Sequence, residues 1–521
     1  MPMSIRFVAS LDDFVAKPSR FDCRSRGMKF LLRVVVVWFA AVATTFAQSA
    51  REFYHTGVAA YEAGNWDAAI EAFSRTIEMS PKSSQAYSAR ASSKRAKGDL
   101  DGALADLNYA IDYDAGNASL YAKRAKFRNL TGDLPGALAD FEQSLALNPK
   151  SPETYLDRGL FKSEHDDLRG ALEDFAQAIA LDPSNPLPYQ NRAILKSKTR
   201  DFDGAIADLS EVLKLRPNDA SMYFARADAK YKKEDWTGAI ADYDRAIALR
   251  PRNSAGYFAR GKVNSARRDW DSAILDFSRA IATNPKDAAA YVNRGIARVE
   301  TLDCHGAIED FDRAITLDRN YADAYFRRGA AKLSSGDLDG AIQDLTSCIG
   351  RNPNHADAYA ARGATRVGKR DFTGAVADYT KSIRLDPPAA DYVRFRLALI
   401  LRRQHLDEKP AGLSPAIARW PESWSKKVGL FVIGATSESD FLKQDSVAGL
   451  KTANQQQCEA CYYAGMACLL KGDKKRAAEL FEMSVATSWT PYPEYSLARE
   501  ELAQLRPAVP APTGTAKTTK F

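Results

Sequence analysis

Apolar residues along this chain recur at helical spacing, and the whole pattern restarts every 34 residues. In the stretch Ser254 to Asp287, Tyr257 is followed by small Gly261, and after a polar turn come Ala273, Ile274, Phe277, Ile281 and finally Pro285. Apolar positions three and four apart on either side of a turn predict two amphipathic helices that share one core. The leading aromatics, Phe53, Tyr87, Tyr121, Tyr155, Tyr189, Tyr223, Tyr257, Tyr291, Tyr325 and Tyr359, are each 34 apart without insertion. We therefore expect ten helix pairs from Ala50 to Ala389, then an eleventh first helix at Asp391 to Arg402.

Polar positions mark the helix ends. Asn65, Asp99, Asp133, Asp167, Asp201, Asp235, Asp269, Asp303, Asp337 and Asp371 each stand one residue before the residue that opens a second helix. Such side chains accept free amide hydrogens of the first turn, an N-cap worth about 1 kcal/mol. Proline then stops most second helices, at Pro81, Pro149, Pro183, Pro217, Pro251, Pro285, Pro353 and Pro387, with Ala115 and Arg319 as exceptions. Gly57, Gly159, Gly261, Gly295, Gly329 and Gly363, alternating with alanines such as Ala91 and Ala227, are expected to face the second-helix alanines such as Ala273. Close crossing of the two helices requires small residues.

The spacing from Tyr257 to Gly261, Ala273, Phe277, Ala280 and Pro285 resembles the tetratricopeptide repeat (TPR), a pair of antiparallel helices. The resemblance implies an all-α fold: a TPR α-solenoid, a right-handed superhelix of helix-turn-helix repeats with a C-terminal helical TPR and capping module. A solenoid of 521 residues needs no single large core, because each repeat buries its apolar face against its neighbours.

One feature departs from the usual TPR pattern. Where most TPRs carry Leu before the small residue, this chain carries Arg90, Arg124, Arg158, Arg192, Arg226, Arg260, Arg294, Arg328, Arg362 and Arg396. An equally regular row, Asp106, Asp140, Asp174, Asp208, Asp242, Asp276, Asp310, Asp344 and Asp378, precedes the second-helix Phe, Tyr or Leu. The first repeat has Thr56 and Ala72 instead, losing both together. That joint loss favours a partly buried ion pair over an anion-binding ladder. The sequence does not separate pairing within a repeat, such as Arg260 with Asp276, from pairing with the preceding repeat. Arg396, which lacks its own second helix, suits Asp378 of the preceding repeat.

From Gln404 to Thr452 the period is lost among Pro410, Gly412, Pro415 and Pro421, with Trp420 and Trp424 as apolar anchors for docking on the last repeats. Gly465, Ala477 and Phe481 then restore the spacing of Gly261, Ala273 and Phe277. The expected organisation is a repeat array at 48–403, an irregular connection at 404–457, a further TPR with a capping helix at 458–505, and a disordered tail at 506–521. Trp420 and Pro421, Leu430 to Gly434, and the segment containing Gly465, Gly472 and Asp473 resemble the ends of NlpI-type bacterial envelope TPR proteins. That resemblance implies an adaptor for envelope enzymes.

Charge changes the picture little. The net formal charge is +7, but residues 1–47 hold seven basic and three acidic residues, leaving 66 basic and 63 acidic in the remainder. A body so near neutrality argues against nucleic-acid partners. Met28, Lys29 and Arg33 before the apolar run Val34 to Ala43, with Thr45 and Ala47 at the cleavage-determining positions, read as an export signal at 28–47, cleaved after Ala47. Residues 1–27 read as a mis-assigned extension ahead of a start at Met28. No Cys follows at a lipoprotein position, so the mature chain is expected to be soluble and periplasmic, with secretion as the second choice, and to have no stable membrane anchor.

Candidate chemistry is sparse. His55, His165, His305, His355 and His405 form no ligand cluster, there is no Gly-rich phosphate loop, and no cofactor or metal is expected. Cys458 and Cys461 form a Cys-x-x-Cys open to three readings: buried packing, a local disulfide, or redox or zinc chemistry. Recognition remains. Carried over by TPR register, the inward positions of the first helices are Phe224, Asp228, Phe258 and Lys262, which lack the Lys and Asn of the peptide-carboxylate clamp of chaperone-binding TPRs. Phe224, Phe258, Val292 and Phe326 make an apolar stripe edged by Asn191, Lys262, Asn293 and Arg327. An extended or helical peptide with apolar anchors would suit it; alternatively these residues only pack against neighbouring first helices. The expected function is a non-catalytic protein-binding scaffold. A cofactor for envelope polysaccharide assembly or secretion, and a hydrolase with its site in 404–452, are the alternatives.

Overall fold

The computed structural model describes residues 49–387 and, apart from 388–389, 407–410, 412, 414–416, 418–422, 444–449 and 488–492, residues 390–506. The expected signal at 28–47, the extension before it, Trp420, Pro421 and the tail from 507 lie outside the described residues. The chain forms two compact units, 1–217 and 218–521. Among the described residues every regular element is helical.

Each unit is a run of helix pairs with the expected period. In the seventh repeat the first helix is Ser254–Ala266 and the second Trp270–Thr283. The ten expected second-helix caps form as anticipated: Asp269 accepts from the Ser272 amide, and Asp303 accepts from the Gly306 amide even though Cys304 opens that helix. The less specified turn at Arg319 is followed by a helix, Ala322–Ser335, whose N-cap Tyr321 makes no side-chain cap bond.

Gly329 meets the second-helix alanine as expected, with Ala341 O 3.3 Å from its Cβ position, but at most first-helix glycines a ring stands closest. A Cβ on Gly261 would lie 2.8 Å from Cε1 of Phe277, and one on Gly295 would lie 2.6 Å from Cε1 of Phe311. The glycine thus makes room for the ring four residues beyond the second-helix alanine, because that ring, fully buried, reaches back across the crossing. Gly261→Ala is expected to overpack this contact and cost about 1–3 kcal/mol. A urea melt of the variant checks it.

In unit 1 the core is a series of small clusters, such as Ala125, Ala137, Phe141 and Phe161, each formed between successive repeats. In unit 2 a larger cluster joins the tenth repeat to the helix Asp391–Arg403 and the C-terminal helices. The stretch read as irregular contributes the helices Trp424–Val432 and Glu438–Leu442. The helix containing Cys458 begins at Leu450 and ends at Leu470. It pairs with Lys474–Ala486, where Gly465 opposes Phe481 as Gly261 opposes Phe277. The last helix, Pro493–Leu505, packs on the first helices of the ninth and tenth repeats.

Candidate functional site

The Arg and Asp rows settle into internal locks. In each of repeats two to ten the Arg donates through Nε at 2.8–3.0 Å and through Nη2 at 2.5–2.7 Å to the two oxygens of the Asp sixteen residues on, within its own repeat. The guanidinium also lies 5.5–6.0 Å from the ring of the Tyr three residues earlier. A planar fork between a carboxylate and a ring is a role Lys cannot fill. The remaining nitrogen often reaches the preceding repeat, as from Arg294 to Ser278 Oγ at 3.0 Å and from Arg362 to Thr346 Oγ1 at 3.1 Å.

A third member escaped the sequence reading. Four residues after the Arg stand Lys94, Arg128, Lys162, Lys196, Lys230, Arg298, Lys332 and Arg366, each 2.7–2.9 Å from the second oxygen of the same Asp. In the seventh repeat Asn264 takes that place at 3.0 Å. The carboxylates are buried, Asp276 at 2% exposure, so the row offers no ladder to external anions.

Arg396 corrects the expectation of an Asp378 partner. It donates through Nε at 3.0 Å and Nη2 at 2.6 Å to Glu494 Oε1 on the closing helix, and Tyr463 Oη donates to the same oxygen at 3.1 Å. Asp378 is already held by Arg362 and Arg366. Burial works against the Arg396 charge, but the Glu494 carboxylate outweighs it and the guanidinium pKa is raised. Glu501 binds Arg370 and Arg403 in the same way. Nearby Glu459 accepts from Trp424 Nε1 at 2.6 Å and Gln455 Nε2 at 3.0 Å, and burial followed by the Glu494 charge raises its pKa.

The cysteines of the C-terminal helix pack. Cys458 and Cys461 are free and buried, and burial pushes the Cys461 thiol up to about 11, a range in which it is a poor nucleophile.

The expected recognition residues have different surroundings. Phe224 and Phe258 are half-buried, edge-on or tilted against Tyr243 and Phe277 at 5.3 and 5.7 Å. Asp228 accepts the Tyr243 hydroxyl at 2.5 Å, while exposed Lys262 sits 5.7 Å from the Phe258 ring and 5.9 Å from that of Tyr231. Phe326 packs on His355 at 4.7 Å, with Arg327 over its ring at 5.5 Å and paired to Asp323. Asn191 and Asn293 turn their amides back onto the carbonyls of Leu187 and Ala289. Val292 is only 2% exposed, within the core around Phe311, and presents no surface to a ligand. Tyr231 and His355 are additions that the apolar stripe alone did not reveal.

Phe224 also lines a cavity of about 220 Å³ with Ser221, Ile247, Arg250, Asn253 and Gly256. This is below the ~300–1,000 Å³ of small-molecule sites and suits one anchoring side chain. A second cavity, about 570 Å³, is lined in the C-terminal part by Arg402, Phe431, Glu438, Tyr463 and Lys471.

A run of short helix pairs with internal locks and a shared first-helix face defines a repeat scaffold. The chain belongs to the tetratricopeptide repeat family, whose model matches residues 54–119, 88–152, 191–254, 292–356 and 326–390, about half of the sequence. It is similar to the solved structure of YrrB, a TPR protein described as having an unusual peptide-binding site, at 22% identity over 38% of this chain and 98% of that one, with a TM-score of 0.32. MamA aligns at 28% identity over 33% of this chain and 94% of its own, with a TM-score of 0.31. The C-terminal part of a TPR repeat-containing protein from Cytophaga hutchinsonii aligns at 16% identity over 46% and 98%, with a TM-score of 0.42. No curated protein matches the sequence.

Proposed function

We propose that this TPR protein is a non-catalytic scaffold that binds protein partners through the first-helix face of its sixth to ninth repeats, and that it acts after export, in the periplasm. The observation that carries this reading is the face around Phe224, Tyr231, Phe258 and Lys262. Its aromatic rings are half-exposed, an exposed ammonium lies over two of them, and beside it is a cavity sized for one side chain. Apolar anchoring with a polar rim is the chemistry of peptide docking. The apolar run at 34–43 supports export, and the NlpI-type resemblance supports envelope enzymes as partners.

The aromatic rings also hold the repeats together, so the test reverses charge at the rim. Crosslinking in envelope extracts with a tagged full chain should capture partners that are lost from the Lys262→Glu, Arg327→Glu double variant, whose melting curve should match wild type. Capture of the same partners by both proteins would move binding off this face.

A further inference from the structure

The cavity of about 570 Å³ in the C-terminal part of unit 2 stands apart from the register of the expected peptide-binding residues. The residues here that correspond to Phe258 and Lys262 are Arg394, Ala398, Tyr462 and Met466, and none of them lines it. Three segments enclose it: the end of Asp391–Arg403, the end of Trp424–Val432 with the residues that follow up to Glu438, and the last turns of Leu450–Leu470 with Lys471. Its floor is apolar, built from Leu399, Val432 and Leu470 with the rings of Phe431 and Tyr463. The two rings are fixed. Phe431 lies parallel to buried Phe441 at 4.2 Å, Phe441 is stacked in turn with Trp424 at 5.9 Å, and the Tyr463 hydroxyl is tied to Glu494. Rings held in this way have little freedom to swing into the space.

The polar part of the lining is positive. Lys471 and Arg402 are cationic, and the carboxylate of Glu438 is already answered by Arg476, which donates to it through Nε and Nη2, both at 3.1 Å. Arg402 spends one nitrogen on the Val432 carbonyl. The exposed Lys471 ammonium and the Thr436 hydroxyl have no partner among the described residues. Gly434, at φ 81°, ends the helix before it in a tight turn, with the Gly434 and Ala435 amides bonded to the carbonyls of Phe431 and Leu430, and so carries Thr436 to the cavity. The volume falls within the ~300–1,000 Å³ of small-molecule sites, which join an apolar lining to a few placed polar groups. A wholly apolar ligand leaves the ammonium unused, and a small inorganic anion leaves the floor wet. A molecule with an apolar chain and one anionic head uses both. Leu399, Val432 and Leu470 come from three segments, and a flexible chain can follow the aliphatic surface they make.

We propose that this cavity binds an amphiphile, an acyl chain with one anionic head group, with the chain on Leu399, Val432 and Leu470 and the head group at Lys471 and Thr436. The site is additional to the protein-binding face and does not depend on it. Its occupant touches the last helix of the array, the connecting segment and the C-terminal repeat at once, so binding stiffens the junction among them.

The probes are decanoate and decyl phosphate, titrated below their micelle concentrations into the full chain by isothermal titration calorimetry, with decanol as the uncharged control. At least one of the anions should bind about tenfold more tightly than decanol and raise the melting temperature, as a ligand of the folded state does; the tighter of the two identifies the head group. Hydrogen exchange should slow at residues 399–402, 431–438 and 467–471. Lys471→Glu should weaken binding at least about tenfold with the unliganded melting curve unchanged, since that side chain has no partner to lose. Ala435→Trp, at an exposed lining position, should block the cavity. The proposal is overturned if no probe binds, if both variants bind as wild type does, if decanol binds as tightly as the anions, or if exchange slows around Phe258 and Lys262 instead. It is also overturned if rigid 2-naphthoate binds and neither chain does. The scaffold reading is separate, and stands or falls with partner capture through Lys262 and Arg327.

Discussion

Replacing Arg396 by Met is expected to destabilise the C-terminal part of unit 2 by about 3–5 kcal/mol, since Glu494 is left as a buried charge with no cation. Glu494 is 1% exposed and Arg396 8% exposed, so water cannot take over the lost partner. Among the described residues, Tyr463 alone would remain on that carboxylate. The Arg396→Met, Glu494→Met double variant should recover most of the loss, because a buried pair contributes little beyond what apolar residues of similar size supply. Hydrogen exchange of the amides in Pro493–Leu505 is the measurement. Fast exchange in the single variant and near-native protection in the double is the expected result; equal exchange in both would show that the pair does not hold the closing helix.

The second large effect distinguishes two locks that look alike. Asp310 holds two cations, Arg294 and Arg298, whereas Asp276 holds Arg260 and the neutral Asn264. Arg260 also has Asp244 of the preceding repeat to turn to. Asp310→Leu therefore leaves Arg294 without a carboxylate and Arg298 with only the longer contact to Asp303 at 3.6 Å, and should cost about 3–5 kcal/mol, while Asp276→Leu leaves a paired Arg and should cost about 1–3 kcal/mol. Local hydrogen exchange in the seventh and eighth repeats of each variant reads the difference. Equal costs would mean that the residue four after the Arg contributes nothing.

The sequence shows the helix pairs and their caps clearly, because both follow from local spacing repeated without insertion. The Arg and Asp rows are equally visible, since identical residues sixteen apart disappear together in the first repeat. The third member of each lock is not visible in the same way: Lys, Arg and Asn share the position, and identity conceals a role that geometry makes uniform. Arg396 defeats a periodic argument for a simpler reason. Its partner is 98 residues away on a helix outside the register, and only the tertiary fold brings them together. On the first-helix face, register placed Phe224, Phe258 and Lys262 together, yet it treated Val292 as their equal. Whether an inward position is covered depends on the size of its neighbours, and Val292 falls among Phe311, Ala324 and Ala331.

The placement of each Arg and its Asp inside one 34-residue unit bears on how such a chain changes length over evolutionary time. Duplicating or excising a whole unit copies or removes a complete lock, so the buried Asp of each lock keeps its partners at the seam. The bonds that do cross the seam fall on Ser278 or Thr346 as readily as on Asp312, so most junctions find an acceptor; the fourth repeat, with Ala176 at that position, is an exception. The closing helix does not share this freedom, since Glu494 is matched to Arg396, the Arg that ends the array. Unequal recombination can therefore lengthen the middle of this array, while its last helix stays fixed to the helix that closes it.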